Sequence, residues 1–569
     1  MDTLGYILLV VVALAIVFLL KSKMDEKELL HKYQYRNEKE WGQIPETSYT
    51  YEKLQSIKEY YLANQGEFDV DDITWNDVDM DTIFMLINNT KSSMGEDYLY
   101  SMLRKLSRDK KELSKREKVI SFFQKNADAR NTLQTEFRFM GKLKEISLYK
   151  YINRTEEIPY HSPIASIFMA CALVVSIILI VLSVFTSIPA VYGVVMFVCC
   201  IINNIMHYFQ RKAHIEKYYN VFQYVIRVLE GAKSLMKTDI AELSDYWKRL
   251  KEITDMFQDF ERGAFIVFVD SKKGEGSFFD LFLDYFRMLF HIDLIKFDSM
   301  VRKVQSKQKE LNELYEILGF LDACIAVASF RTWLGEEGYC LPDLKESEKP
   351  FIEMKDGYHP VLEEPVSNTI SAKRPVLITG SNASGKSTFI KTVAINAILA
   401  QTIHTVAASS FEASFMQVCS SMALRDDLQG HESYYIVEIK SLKRILEKAD
   451  SKLPMLCFVD EVLRGTNTLE RIAASAQILK SFAETNTICF AATHDLELTH
   501  MLEAYYDNYH FQEQIKDDEV IFDYCLREGK AISRNAIKLL GVMGYKKEII
   551  EKAENLANHF LESGVWDTV

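Results

Sequence analysis

The chain has 569 residues, a formal net charge of −13 at pH 7 and nine cysteines. Its composition, 48% hydrophobic and 26% charged, predicts a mostly globular protein long enough for several domains. The acidic balance excludes a protein coated with basic surface for nucleic acid, although it leaves room for a local basic patch. The cysteines form no C-x-x-C pair, which indicates reduced thiols rather than a disulfide framework or a zinc site.

An unbroken apolar run covers Leu4–Leu20 and is followed by Lys21 and Lys23. A cleaved signal peptide would carry positive charge before the run, whereas Asp2 stands there. The pattern therefore predicts a retained transmembrane anchor over residues 1–23, with the N-terminus outside and the lysines on the cytoplasmic side. A polar connector over 24–70 follows it.

A second apolar block covers 163–208. Its halves, 164–184 and 190–206, carry no charge, and the second contains only Asn203 and Asn204 as strongly polar residues. Two spans joined by a short outside turn fit this length, and a buried helical hairpin in a soluble core is the alternative. If the N-terminus lies outside, three spans place everything after Lys212 in the cytoplasm. We therefore expect a multi-pass protein of the cytoplasmic membrane.

Helical periodicity dominates both sides of this block and predicts a helical core in two parts, 71–162 and 209–341. The run 104–118 is rich in lysine and arginine, which indicates either a nucleic-acid patch or, since acids are interleaved, a solvated helical face. The aromatic run 281–290 is more typical of core than of a base-stacking platform. A charged linker, 342–350, precedes the C-terminal domain.

The C-terminal domain, 351–569, opens with a phosphate-binding pattern. Gly380–Ser387 fits G-x-x-x-x-G-K-[ST] at every fixed position, between a predicted strand at 375–379 and a predicted helix at 388–399. Backbone N–H groups and the helix N-terminus would face a polyphosphate there. Lys386 would reach the β- and γ-phosphates, and the Ser387 hydroxyl would bind Mg²⁺.

Two further apolar strands end in polar residues. The first ends in Asp460, which is suited to hold Mg²⁺, and Glu461, which is suited to polarise the attacking water. The second ends in Thr493 and His494, and the histidine is placed to sense the γ-phosphate or the lytic water. Parallel sheets present ligands at the carboxyl ends of their strands, so these residues are expected to meet the phosphate loop.

The domain resembles the ATPase domain of the MutS family. The stretches that carry the resemblance are His359–Glu363, Asp426–Leu428, Gly430, Ser433–Tyr435, Glu438, Asp460–Thr468, Thr493–His494 and, near the C-terminus, Gly529, Ser533, Asn535–Ile537 and Leu540–Gly541. Leu86–Leu103 with Arg116, and Leu321–Ser329, resemble the two ends of the MutS core domain.

The resemblance implies an α/β P-loop NTPase of the ABC type, C-terminal to a mostly helical core and lever domain. It implies a homodimer in which each ATP is sandwiched between subunits, with a C-terminal helical dimerisation region. Glu461, His494 and Lys386 would then be catalytic, and Ser387 and Asp460 would hold Mg²⁺. The nucleotide would be bound by Gly380, Ser381, Asn382, Ala383, Ser384, Gly385, Lys386, Ser387 and Thr388, and by Ser433 of the opposite subunit.

The chain departs from the family pattern at several positions. Val462 and Leu463 stand where the family has a glycine before Arg464, and Leu469–Arg471 replace an acidic-glycine pair. Ala383–Ser384 replace the methionine and glycine of the usual loop. These changes are compatible with hydrolysis and bear on its rate. No mismatch-reading domain and no nuclease tail are expected.

Two functions from different classes follow. In the first, ATP hydrolysis moves the helical core, which binds branched or mismatched DNA in a repair- or recombination-related role through salt-sensitive phosphate contacts. In the second, the levers act on the membrane hairpin or a protein partner without DNA, which the acidic balance and the three spans favour. A tether that uses ATP only to dimerise is a third hypothesis, against which Glu461 argues. The absence of charged residues from the spans argues against a transporter.

Overall fold

The computed structural model describes residues 21–569 except for several stretches, which are 22–23, 26, 47, 145, 155–162, 187–188, 239, 264–284, 382–383, 423–433, 450–452, 465, 517–518, 532–536, 538–539, 541–543, 567 and 569. The predicted anchor at Leu4–Leu20 lies outside the described residues.

The first 339 residues are helical wherever the structure describes regular secondary structure, as the periodicity predicts. The helices are α1 (27–40), α2 (Tyr51–Ala63), α3 (Asp72–Asp77), α4 (Met80–Ile87), α5 (Ser93–Arg104), α6 (Lys110–Lys125), α7 (Ala127–Met140), α8 (Leu148–Asn153), α9 (Ile164–Phe185), α10 (Ala190–Leu235), α11 (Ser244–Met256), α12 (Gln258–Glu261), α13 (285–290), α14 (Ile292–Ser306) and α15 (Gln308–Leu334).

The chain forms two compact units. Unit 1 comprises 1–64, 88–100 and 119–329, and unit 2 comprises 65–87, 101–118 and 330–569. The division differs from the predicted domain boundaries, because residues 71–87 and the run 101–118 belong to the unit that carries the phosphate loop.

Unit 1 is held by close helix packing and a buried polar hub. A Cβ on Gly319 would lie 2.8 Å from the carbonyl oxygen of Met94, so the glycine allows close packing there. Asp322 is fully buried and accepts hydrogen bonds from the backbone N–H groups of Lys91 and Ser92 at 2.8–3.1 Å. This carboxylate satisfies the amides of the turn that precedes α5.

Two helices of unit 1 form the predicted apolar hairpin. Among the described residues, three helices are long and apolar enough to span a membrane: Ile164–Phe185, Ala190–Ile215 and Gln308–Leu334. Only 11% of the most apolar window of each of the first two is buried, against 72% of the third, which therefore packs as a core helix. The second hairpin helix does not end near residue 208 but continues to Leu235, since no proline interrupts the helical pattern there.

Unit 2 contains two larger sheets and a hairpin. Its strands are β1 (Asp343–Lys345), β2 (Ile352–Gly357), β3 (Asn368–Ala372), β4 (Val376–Thr379), β5 (Ser410–Ser414), β6 (Gln417–Ser421), β7 (Met455–Asp460), β8 (Thr487–Thr493), β9 (Asp507–His510), β10 (Glu513–Lys516), β11 (Glu519–Phe522) and β12 (Arg527–Glu528). Its further helices are α16 (Lys386–Thr402), α17 (Tyr434–Ala449), α18 (Thr468–Ala483), α19 (Leu496–Met501) and α20 (Lys547–Ser563).

The larger sheet has the order β12-β9-β4-β8-β7-β6, in which all pairs are parallel except the one that β12 makes. Its central strands are wholly buried, as β4 and β8 show, which explains their uninterrupted apolar sequences. The second sheet, β1-β5-β2-β3, is mixed, and β10 and β11 form an antiparallel pair.

An early segment of the chain covers the β6 edge of the larger sheet. The backbone N–H of Ser420 donates to the Thr74 hydroxyl at 3.0 Å, and the Ser420 hydroxyl donates to Asp77 at 2.6 Å.

In the basic run 104–118, Arg104 is buried and its guanidinium stacks 4.1 Å from the centroid of the Trp75 ring. Arg116 is also buried and donates to the carbonyl of Thr402, so both arginines serve packing within unit 2 rather than a basic surface.

Candidate nucleotide-binding site

The phosphate-binding loop joins β4 to α16, as the sequence predicts, and its glycines are required by the backbone. Gly380 has φ 151° and Gly385 has φ 101°. A Cβ on Gly380 would come within 2.9 Å of the carbonyl oxygen of Phe511, and one on Gly385 would lie 3.1 Å from the Tyr524 ring. Larger residues would therefore meet both conformational strain and a close neighbour at these two positions.

Lys386 begins α16 and is almost fully buried. Its ammonium donates to the carbonyl oxygens of Gly380 and Ser381, both at 2.7 Å, and so closes the loop on itself. Burial lowers the pKa of Lys386 to about 8, although the negative charges of Asp460 and Glu461 act in the opposite direction. The site thus contains a desolvated cation at the position where the motif needs one.

The last residue of β7, Asp460, places a carboxylate beside the phosphate-binding loop. The Ser387 hydroxyl donates to Oδ2 of Asp460 at 2.6 Å, which joins the two predicted Mg²⁺ ligands. The other oxygen of Asp460, Oδ1, is buried and has no hydrogen-bond partner among the described residues. A hydroxyl beside a carboxylate with a free buried oxygen is a donor set that suits a hard divalent cation.

Glu461 and His494 also meet, because β7 and β8 are parallel neighbours. The backbone N–H of Glu461 donates to the carbonyl of Ala492 at 2.9 Å, and its carboxylate lies 2.6 Å from Nε2 of His494. Burial acts to raise the pKa of Glu461, but its pKa is lowered overall, through the contact with His494 and the charges of Arg464 and Lys386. Glu461 is therefore ionised at neutral pH, and a carboxylate with two partners still has lone pairs for a water.

The loop after β7 explains one departure from the family pattern. Leu463 stands at the glycine position and has φ 59°, a left-handed conformation that is unusual for leucine. Its side chain is buried, and its backbone N–H donates to the carboxylate of Glu438 on α17. Ser475 donates to the carbonyl of Val462 at 3.2 Å. Packing and hydrogen bonds thus hold the strained loop that follows Glu461.

Arg471, a second departure from the family pattern, has a structural role. Arg471 makes two hydrogen bonds to Asp495, at 2.6 and 3.1 Å, and so fixes the residue next to His494. The local sequence predicts neither contact, because the partners of Arg471 and Glu438 lie 24 and 25 residues further along the chain.

A cavity of 470 Å³ lies beside the phosphate loop. Among its lining residues are His359, Leu362, Asn368, Lys386, Phe511 and Tyr524. Asn368 donates to the carbonyl of Tyr524 at 3.0 Å and accepts from the N–H of Leu526 at 2.7 Å, which fixes Tyr524 near the loop. Burial lowers the pKa of His359, helped by the nearby charge of Lys391. The aromatic wall was not predicted, because Phe511 and Tyr524 follow the loop by more than 100 residues and carry no motif.

The structure thus brings together most of the predicted site. Gly380, Ser381, Ser384, Gly385, Lys386, Ser387 and Thr388 form the loop and the start of α16, with Asp460, Glu461 and His494 opposite. Thr388 also lines the cavity. Asn382, Ala383 and Ser433 lie outside the described residues, and their assignment stays a prediction.

A parallel sheet with a G-x-x-x-x-G-K-S loop at a strand end is consistent with a P-loop nucleotide-binding domain. The model of the family MutS domain V matches residues 376–561. A DNA mismatch repair protein MutS of Thermus thermophilus is 29% identical over 265 residues, which are 46% of this chain and 32% of that protein.

Other relatives extend or broaden the match. A DNA mismatch repair protein MutS of Pseudothermotoga lettingae is 25% identical over 352 residues, 60% of this chain and 40% of that protein. MutS protein homolog 4 of Mus musculus is 29% identical over 273 residues, 44% of this chain and 27% of that protein. The chain spans about a third of the length of these relatives. The C-terminal half of the chain thus matches the MutS family, which confirms the resemblance for that half.

Proposed function

We propose that the chain binds ATP with Mg²⁺ and hydrolyses it. The observation that carries the proposal is the meeting of three pairs at one sheet edge: Lys386 with the loop carbonyls, Ser387 with Asp460, and Glu461 with His494. A P-loop needs these functions together, namely a cation for the phosphates, ligands for Mg²⁺ and a group that positions water. The adjacent cavity has room for a nucleoside.

Each side chain has a defined task in this proposal. Lys386 would exchange its two carbonyl partners for phosphate oxygens, which are charged and therefore stronger acceptors. Ser387 and Asp460 would hold Mg²⁺, which neutralises charge on the phosphate oxygens when bound. Glu461 would orient the attacking water and accept its proton, while His494 holds the carboxylate in place.

The site would be completed by a second copy of the chain. Ser433 precedes α17, and Glu438 on that helix binds the loop that follows Glu461. A subunit that contacts Ser433 would thus act on the same helix that holds the catalytic loop. We therefore propose a homodimer in which nucleotide binding is coupled to the way two subunits meet.

The movement driven by ATP has two candidate targets. The relatives are named as DNA mismatch repair proteins, which supports branched or mismatched DNA as one target, in a repair- or recombination-related role. The exposed apolar hairpin supports the other, a switch at the cytoplasmic membrane that acts on the bilayer or on a protein partner. In both cases the nucleotide site would face the cytoplasm.

The test is ATP hydrolysis by the full-length protein in nanodiscs. The rate would be measured without DNA and with homoduplex, mismatched duplex and four-way junction, at low and moderate salt. Lys386→Ala removes the cation of the loop, and Lys373→Ala, on an exposed residue of the same unit, is the matched control.

We expect hydrolysis that is lost in Lys386→Ala and retained in Lys373→Ala. Stimulation by one DNA shape that disappears at moderate salt would support the DNA target. A rate indifferent to every DNA would support the membrane switch. No difference between Lys386→Ala and the natural chain would contradict the proposed ATPase.

A further inference from the structure

Asn204 is a polar residue inside the apolar hairpin, and its environment shows what it does. Its side chain is 1% exposed and donates to the carbonyl of Leu289 at 3.0 Å. Its own carbonyl lies 3.0 Å from Nε2 of His291. An amide at membrane depth is costly unless it is satisfied by protein. Asn204 therefore does not line a pore but fixes α13 and the residue after it against the hairpin.

This attachment sets the level of α13 along the hairpin. Asn204 lies 14 residues after Ala190, or about 21 Å along α10 at 1.5 Å per residue. A bilayer core is about 30 Å thick, so this point lies within it, towards the end that leads to Lys212. The neighbouring Asn203 contacts the sulfur of Met169 at 3.9 Å, near the start of α9. Asn204 thus places α13 at the end where the chain enters and leaves the hairpin, which is also the end where α9 begins.

The residues of α13 are arranged in the opposite way to those of a soluble helix. Tyr285 and Phe286 are 57% and 42% exposed, whereas Arg287 is buried. The ring centroids of Phe286 and Phe290 lie 4.5 Å apart, so these two side chains pack together. Aromatic side chains of this kind concentrate at the boundary between lipid headgroups and acyl chains.

We propose that α13 is a further membrane contact, in which Tyr285 and Phe286 insert into the bilayer interface beside the hairpin. The occupant of this aromatic face is lipid, because Asn204 fixes the face to the apolar hairpin at the depth of the bilayer. The inference rests on the proposed membrane insertion of the hairpin. It assigns the aromatic run a function that neither core packing nor base stacking describes.

The test uses tryptophan reporters in nanodiscs that contain brominated lipids, which quench tryptophan on contact. Phe286→Trp reports on α13, and Val198→Trp reports on the exposed middle of the hairpin. Ile521→Trp, on an exposed residue of unit 2, is the control. Emission of the natural chain, which contains five tryptophans, is subtracted in each case.

We expect about a twofold loss of the added emission for Phe286→Trp with lipids brominated high on the acyl chain, and for Val198→Trp with lipids brominated deep in the chain. Ile521→Trp should be unaffected. Quenching of Val198→Trp without quenching of Phe286→Trp would overturn the α13 proposal alone. Absence of quenching in both would overturn membrane insertion of the hairpin as well. Protection of Phe286→Trp from acrylamide without lipid quenching would assign the face to a protein and also overturn the proposal.

Discussion

The nucleotide site and the hairpin both bury polar side chains, but among the described residues a carboxylate oxygen and a hydroxyl in the first lack the partners that a serine and an asparagine in the second have. At the sheet edge, Oδ1 of Asp460 and the hydroxyl of Ser384 are buried without a hydrogen-bond partner among the described residues. In the hairpin, Ser176 donates to the carbonyl of Leu173 at 2.6 Å, and Asn204 is bound by α13 and His291. An unsatisfied buried group carries a free-energy cost that a ligand can remove, whereas a satisfied one contributes to structure.

The largest expected effect comes from removing the charge at the sheet edge. Asp460→Asn keeps the shape of the side chain but weakens the site for Mg²⁺, so hydrolysis should fall by about 100-fold or more. Steady-state phosphate release over a range of Mg²⁺ concentrations measures this loss. Asp507→Asn is the control, because Asp507 pairs with Arg374 on the surface at 2.8 Å. Equal rates of ATP hydrolysis in the two variants would show that Asp460 does not belong to the metal site.

Two neighbouring asparagines of the hairpin, Asn204 and Asn203, test whether its buried polar side chain stabilises the fold. Asn204→Leu leaves the carbonyl of Leu289 without its donor, and should lower the free energy of unfolding by about 1–3 kcal/mol. Asn203→Leu changes the neighbouring exposed residue and should have little effect. Thermal unfolding in nanodiscs compares the two. If Asn203→Leu were the more damaging substitution, the structural role of Asn204 would be wrong.

The pKa of Lys386 predicts how ATP binding depends on pH. Its pKa of about 8 means that the free protein loses this positive charge as the pH rises through 8. The affinity for ATP should therefore fall above pH 8, by up to about tenfold per pH unit, and be constant below it. The same lowered pKa makes the folded chain bind fewer protons than the unfolded chain between pH 8 and 10.5, so this group penalises folding below pH 8 and the penalty disappears as the pH rises.

Titration of a fluorescent ATP analogue between about pH 7 and 9.5 checks this dependence. Lys386→Arg keeps its charge throughout this range and is the control. Parallel pH profiles for the natural chain and Lys386→Arg would show that another group is responsible.

The smallest expected effect is the difference in stability between two variants of the strained loop. Replacing Leu463 by alanine or by glycine removes the buried contacts of the side chain beyond Cβ, and both variants should be destabilised by about 2–5 kcal/mol. Glycine accepts φ 59° without strain, so Leu463→Gly should be more stable than Leu463→Ala by about 1 kcal/mol. Chemical denaturation of the two variants measures the difference. The reverse order would show that the loop is not left-handed in solution.

The sequence predicted the parts of the site that depend on local pattern. The phosphate loop has a fixed spacing, and β7 and β8 are apolar runs that end in Asp460 and Thr493. The departure from the family pattern at Val462 and Leu463 was visible in the sequence, but the left-handed backbone of Leu463 was not predicted. Contacts between distant segments could not be predicted. Asp77 binds Ser420 across 343 residues, and no local signal in either residue specifies that pairing.

The same limit applies to the hairpin. Hydropathy predicted two apolar helices, which the structure contains. It identified Asn204 only as a polar interruption, because its partners, Leu289 and His291, follow 85 and 87 residues later. Tyr524 is a similar case in the nucleotide cavity, where only the folded chain brings it to Gly385.

The central claim is that the carboxylate of Glu461 drives hydrolysis at a site that binds ATP independently of it. The most direct measurement compares Glu461→Gln with the natural chain in nanodiscs, with ATP affinity and phosphate release determined on the same samples. The account predicts an affinity within about threefold of the natural value and hydrolysis lowered by about 100-fold or more. Unchanged phosphate release in Glu461→Gln, with ATP still bound, would contradict it.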